Sequence, residues 1–185
     1  MYLFIDTETT GLDEEKGAII QIAALQVSDA GDVQAEFSSR VRPFDGALIE
    51  GRAFETNRRR HSELLDAPTE HEVCMKLRDW NGRNCFVFAG YNCAFDQKFV
   101  WKMFQRTGVY TRYAIPKEGP MDVLKEARAL LKKPAEVADH KLVTVAKHFG
   151  VLRDGAHDAL EDIRMTRDVW KCLKRVKQEI KEGKR

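Results

Sequence analysis

The residues that most constrain this chain are Tyr2-Leu3-Phe4-Ile5-Asp6-Thr7-Glu8, an apolar run that leads directly into two carboxylates. A short continuous run of this kind reads as a buried strand. Side chains on a strand alternate between its faces, so Asp6 and Glu8 project from the same one. Two like charges carried to the end of a buried strand are costly unless solvent or a cation compensates them. An isolated Asp-x-Glu reads most simply as two solvated acids, and the rest of the chain must decide.

Thr9-Thr10-Gly11 reads as a turn. Ala18 to Val27 forms a second, largely buried strand, Ser28 to Asp32 a tight turn, and Val33 to Val41 a third strand. Three strands joined this closely make an antiparallel meander. Phe44 to Pro68 has no clear periodicity and reads as a long loop or short helical pieces. Thr69-Glu70-His71-Glu72 is a capping box that starts a helix with Val73, Leu77 and Trp80 inward, ending near Gly82. Cys85 to Tyr91 is a fourth strand that feeds a helix with Phe95, Phe99, Val100, Met103 and Phe104 on its core stripe, ended by Gly108. A short strand over Arg112–Ile115 and helices over Met121–Leu131 and Lys141–Phe149 follow, with Gly150 as a C′ residue. The last helix starts at His157 or Asp158 and turns Leu160, Ile163, Trp170, Leu173 and Ile180 inward.

With 43% hydrophobic and 32% charged residues among 185, the composition is that of a soluble protein folding as a single domain over residues 1–185. No apolar run approaches the roughly 18 residues of a membrane helix, and the sequence opens on the strand without a basic leader. The expectation is a cytoplasmic protein with no membrane partner. Four cysteines without C-x-x-C spacing read as reduced thiols, not as a zinc site or a disulfide framework. The net charge of +2 hides a basic C-terminal helix and tail over 171–185, with seven Lys and Arg against two Glu. That tail, and the run Asn57-Arg58-Arg59-Arg60-His61, read either as solvated surface or as phosphate contacts.

Alternating strands and helices with an initial meander make an α/β sandwich with a mixed sheet. Ligands in such sheets gather at strand ends, where Asp6 and Glu8 are expected. Asp96 lies in the first turn of the helix after the fourth strand, and His157 and Asp162 bracket the start of the last helix. Five residues of helix turn about 500°, so His157 and Asp162 stand roughly 140° apart and cannot both face one point from a regular helix. If both serve one site, His157 sits on the loop or the frayed first turn, just after Gly155. Asp6, Glu8, Asp96 and Asp162 together offer a formal charge that two divalent cations would neutralise. All-oxygen ligands select hard ions, Mg²⁺ or Mn²⁺. Two such ions can clamp a phosphodiester in an in-line displacement, with His157 as the general base for the attacking water.

Asp6-Thr7-Glu8-Thr9-Thr10-Gly11, Asn92-Cys93-Ala94-Phe95-Asp96 and His157-Asp158-Ala159-Leu160-Glu161-Asp162 resemble, in this order, the three motifs of the DEDDh (DnaQ-like) exonucleases. The sister group would carry Tyr four residues before the last Asp, where this chain has Asp158. The resemblance covers about residues 2 to 175 and implies a ribonuclease H-like three-layer sandwich, with a mixed five-stranded sheet whose first three strands are antiparallel. It implies 3′→5′ removal of nucleoside 5′-monophosphates from single-stranded DNA or RNA. Asp6 would bridge two metals, Glu8 and Asp162 would complete the first shell, and Asp96 would hold the second ion. His157 would activate water, and Thr9, Thr10 and Gly11 would hold the terminal nucleotide. The competing readings are a catalytically silent nucleic-acid-binding or scaffold domain, and an endonuclease of the same fold. The short stretch after the last helix favours a stand-alone exonuclease. Polymerase association, and a homodimer through Trp101, Trp170 or the last helix, stay open.

Overall fold

The second strand, β2 (Ile19–Val27), is buried along its whole length, as a strand must be when it is paired on both edges and covered on both faces. The computed structural model describes residues 1–51, 64–82, 84–109, 119–132, 135–153 and 158–184. β2 pairs antiparallel with β1 (Tyr2–Thr9) on one side and with β3 (Val33–Arg40) on the other. β4 (Val87–Gly90) adds to the free edge of β1 in parallel, and β5 (Met121–Asp122) extends the sheet in parallel beyond it. The order is β3-β2-β1-β4-β5. This is the mixed sheet expected, with its first three strands antiparallel.

Alternation along β1 divides the core in two. Leu3 and Ile5 pack against Val73 and Leu77 of α1 (Glu70–Asn81) and Phe99 and Met103 of α2 (Ala94–Thr107). Phe4 packs on the other face, with Val123 and Ala127 of α3 (Val123–Leu130), Val145 of α4 (Leu142–His148) and Ile163 and Trp170 of α5 (Ala159–Lys181). Helices thus cover both faces, and the fold has three layers.

Local chemistry sets the helix ends. Thr69 caps α1: its hydroxyl accepts from the Glu72 amide at 3.3 Å, and its own amide donates to the Glu72 carboxylate at 2.8 Å, so two otherwise orphaned donors are satisfied. Gly108 after α2 and Gly150 after α4 both have φ of +68°, where a side chain would be strained. The Arg106 guanidinium grips the buried Glu70 carboxylate through two bonds of 2.7 and 3.1 Å and lies 4.3 Å over the Phe44 ring. That contact joins both helices of one layer to the loop after β3.

The departures from sequence expectation are local. Met121–Asp122 is the fifth strand, not the first turn of a helix, because Asp122 accepts from the Leu124 amide and so caps α3. The strand expected over Arg112–Ile115 lies outside the described residues. β4 is shorter than Cys85–Tyr91, since the chain leaves the sheet after Gly90 into a turn at Asn92 with φ of +58°. Ile180, near the C-terminal end of α5, is exposed. Trp170 is core, edge-on to Tyr2 and tilted against Phe4, and is not free for an interface, whereas Trp101 is exposed. Among the described residues no helix is long and apolar enough to cross a membrane.

Phe88 lies in the middle of β4 with no exposure and packs into the α1 and α2 layer. Phe88→Ala is expected to cost about 3–5 kcal/mol in denaturant unfolding, the usual loss for an unrelaxed aromatic cavity.

Candidate active site

The site begins with the face of β1 that carries Phe4. Two and four residues on, Asp6 and Glu8 project from that face at the C-terminal end of the strand, toward the layer that holds α5. Asp162, one turn into α5, meets them: one carboxylate oxygen from each of Asp6, Glu8 and Asp162 lies within 4.8 Å of the other two.

The start of α5 is fixed to the sheet beside these acids. Asp158 is its N-cap and accepts from the Leu160 amide at 3.0 Å. The other oxygen of the same carboxylate accepts from the Gln21 side-chain amide at 3.1 Å. Gln21 lies directly opposite Glu8 in the β1–β2 register. The cap that starts the helix therefore also sets where Asp162 points. Neither Gln21 nor Asp158 was among the expected site residues, although Asp before a helical run is a readable N-cap signal.

Asp96 approaches from the opposite layer. β4 pairs with β1 only as far as Phe4 and Ala89, so beyond that point, among the described residues, β1 has no strand on this edge. The Asp96 carboxylate takes over there, accepting from the Thr7 amide at 2.9 Å and from the Thr7 hydroxyl at 2.7 Å. Thr7 is the residue between Asp6 and Glu8 and faces the α2 layer. Asp96 is thus fastened to the strand that carries the other two acids, in the first turn of α2 where the helix dipole also favours a negative charge.

The cost of this arrangement shows in the acids themselves. Burial and then the charges of Asp96, Glu8, Asp162 and Asp158 hold the Asp6 carboxyl well above the usual range. Burial pushes Asp96 up to about 7, although its two bonds from Thr7 act the other way. The groups that act most on Asp6 are all carboxylates, and a hard divalent cation would relieve them together. The donor set fits Mg²⁺ or Mn²⁺.

Beside the acids, the turn expected to hold a nucleotide is tightly built. The Thr9 hydroxyl donates to the Gly11 carbonyl at 2.7 Å. The Thr10 hydroxyl donates to the Leu48 carbonyl at 2.7 Å and accepts from the Ala18 amide at 2.9 Å. The Glu50 amide donates to the Thr10 carbonyl at 2.8 Å. A Cβ on Gly11 would sit 2.6 Å from the Glu50 carboxylate, so only glycine fits without displacing that side chain. Both hydroxyls are engaged within the chain, and their role here is to shape the turn. His157 and the Arg58-Arg59-Arg60-His61 run lie outside the described residues, and Asp6, Glu8, Asp96 and Asp162 are the expected acids whose placement is described.

A carboxyl whose pKa is raised in the fold binds its proton more tightly there than in the unfolded chain. Its stabilising effect is full below the unfolded value, about 3.9, and is lost as pH rises through the folded value. For Asp96 that window runs from about 4 to about 7. In chelator, the melting temperature is expected to fall across this window. Asp96→Asn, which keeps an oxygen to accept from Thr7 and removes the titration, is expected to flatten that fall. Parallel curves for the two proteins would contradict the assignment.

Comparison with known proteins agrees with this geometry. Residues 3–170 match the model of the RNase T-type exonuclease family. DNA polymerase III PolC-type of Clostridium perfringens is 29% identical over 180 residues, covering 97% of this chain and 12% of that protein. The PolC-type polymerase of Staphylococcus saprophyticus is 30% identical over 181 residues, covering 96% and 11%. Among solved structures, E. coli exonuclease I in complex with a dT13 oligonucleotide superposes with a TM-score of 0.79 at 18% identity, covering 98% of this chain and 42% of that one. Exonuclease I of Methylocaldum szegediense gives 0.76 at 18% identity, covering 94% and 40%. The chain spans about an eighth of the length of these polymerases and about two fifths of the exonuclease I chains. The structural likeness is one of fold, and the fold is ribonuclease H-like. By its match over nearly the whole chain, the protein belongs to the exonuclease family, in its DEDDh (DnaQ-like) branch.

Proposed function

We propose that the protein is a metal-dependent 3′→5′ exonuclease that releases nucleoside 5′-monophosphates from single-stranded nucleic acid. The observation that carries this reading is the convergence of Asp6, Glu8 and Asp162, from a strand and a helix far apart in sequence, within 4.8 Å. Such a cluster is unfavourable without a cation and apt for one. Asp6, Glu8 and Asp162, with Asp96 beside them, would hold two Mg²⁺ or Mn²⁺ ions, which when bound acidify a water and stabilise charge on the attacking and leaving oxygens.

The chain's own residues supply the rest. His157, the residue just before the α5 N-cap in sequence, accepts the proton of the attacking water on a ring nitrogen. Thr7 keeps the Asp96 carboxylate turned toward β1. The turn Thr9-Thr10-Gly11, rigidified by its internal bonds, presents backbone rather than hydroxyl groups to the terminal nucleotide. The similarity to DNA polymerase III PolC-type chains, and the solved exonuclease I complex with a dT13 oligonucleotide, support DNA as the substrate. The PolC-type similarity also supports work beside a polymerase.

Single-stranded DNA and RNA labelled at the 5′ end, incubated with Mg²⁺, test the reading. DNA is expected to shorten stepwise from its 3′ end, and chelator or Asp6→Ala to abolish this. Mid-chain cuts would favour an endonuclease, and intact strands a silent binding domain. His157→Ala is expected to lower kcat by roughly 10²–10⁴, the usual worth of a positioned general base. The stabilisation of the fold by Mn²⁺ should survive that substitution, and its loss would show that His157 serves the metal instead.

A further inference from the structure

A cavity of about 410 Å³ opens where the chain leaves β4, and no part of the proposed reaction uses it. It lies between the turn after β4, helix α3 and the approach to α4. Its apolar floor is made by Tyr91, Leu124 and Leu142, of which Tyr91 and Leu142 pack into the same layer as Phe4. That is the face of the sheet from which Asp6 and Glu8 project. Asn92, four residues before Asp96, stands exposed at the mouth of the cavity.

Two cations line the rim. The Arg128 and Lys141 side chains are exposed, and among the described residues neither has a hydrogen-bonding or ion-pair acceptor. The remaining polar groups are turned elsewhere. The Tyr91 hydroxyl donates to the His140 carbonyl at 2.6 Å, and Nε2 of His140 lies 3.0 Å from the Leu131 carbonyl. The Asp139 carboxylate accepts from the Lys141 amide at 2.9 Å. Among the described residues the cavity therefore offers an apolar floor with two positive charges that have no acceptor, against one carboxylate.

The geometry points to a binding site for one nucleotide of the substrate strand, upstream of the terminal nucleotide, with its base on the Tyr91–Leu124–Leu142 floor and its phosphate between Arg128 and Lys141. The inference rests on the exonuclease reading for the identity of the strand. A volume of this size falls in the range of small-ligand sites, and inorganic phosphate would leave the apolar floor uncovered. An apolar or aromatic platform beside cations is also the sequence-tolerant way to hold a single strand. Guanidinium and ammonium groups at the rim would act on the backbone, holding its register without reading its bases.

Fluorescence anisotropy of a labelled twenty-nucleotide DNA strand tests this in the full chain, with Asp6→Asn introduced so that no cleavage occurs. Arg128→Gln and Lys141→Gln together are expected to weaken binding about tenfold. They are expected to reduce the slope of log affinity against log salt by about 0.7 for each charge removed. Each single variant should show half of the change in slope, and the melting temperature should stay constant, since both side chains are exposed. In the otherwise native enzyme the pair should raise KM for the long strand. KM for a mononucleotide ester, p-nitrophenyl thymidine 5′-phosphate, should be unchanged. Unchanged affinity and salt slope would overturn the site, and so would an equal loss on strand and ester. If the native protein cuts no strand yet the double variant binds more weakly, the exonuclease reading fails and the site stands.

Discussion

β1 is bonded on both edges, antiparallel to β2 and parallel to β4, and the parallel pairing ends at Phe4. The placement of Asp96 follows from that early end. Up to Phe4 the strand is a core element. Beyond it one edge of β1 has no strand partner among the described residues, and a buried backbone amide left unpaired there would be costly. Asp96 fills the position by accepting from Thr7. The same short stretch thus turns Asp6 and Glu8 toward α5 on one face, while Thr7 ties α2 to the other. A longer β4 would have satisfied Thr7 and left Asp96 without its anchor.

The opposing term is charge repulsion. Bringing Asp6, Glu8 and Asp162 together in a buried place pushes the Asp6 pKa well above its usual range, through burial first and then its acidic neighbours, and burial likewise raises the pKa of Asp96. The fold tolerates this because the cluster is braced from several directions. Gln21 and the Asp158 cap hold α5 beside Glu8. The two cores on either side of the sheet fix the strand that carries the other acids. A site strained by like charges and relieved by a cation is ready for metal before metal arrives, which limits the reorganisation left for binding.

Much of this was legible from short-range chemistry. The apolar run into Asp6 and Glu8, the capping box at Thr69 and Glu72, and the glycines after α2 and α4 each depend on neighbouring residues, and each was readable from the chain. The common face of Asp6 and Glu8 followed from strand periodicity alone. What could not be read depended on tertiary pairing. That Thr7 would hold Asp96 required knowing where β4 stops, and that Gln21 would brace α5 required the β1–β2 register. Met121–Asp122 reads as helix because its pairing partners, Ala89 and Gly90, lie far away in sequence. Ile180 fits the apolar stripe of α5 yet is exposed, one residue before the helix ends.

The central claim is that β1 and α5 jointly hold a divalent cation. Calorimetric titration of the metal-free protein with Mn²⁺ measures this most directly, independently of any substrate. Binding is expected in the native protein, and Glu8→Gln or Asp162→Asn should each weaken it at least tenfold, since each removes one oxygen ligand and one charge from the same small cluster. Mn²⁺ bound with equal affinity by the native protein and both variants would contradict the account.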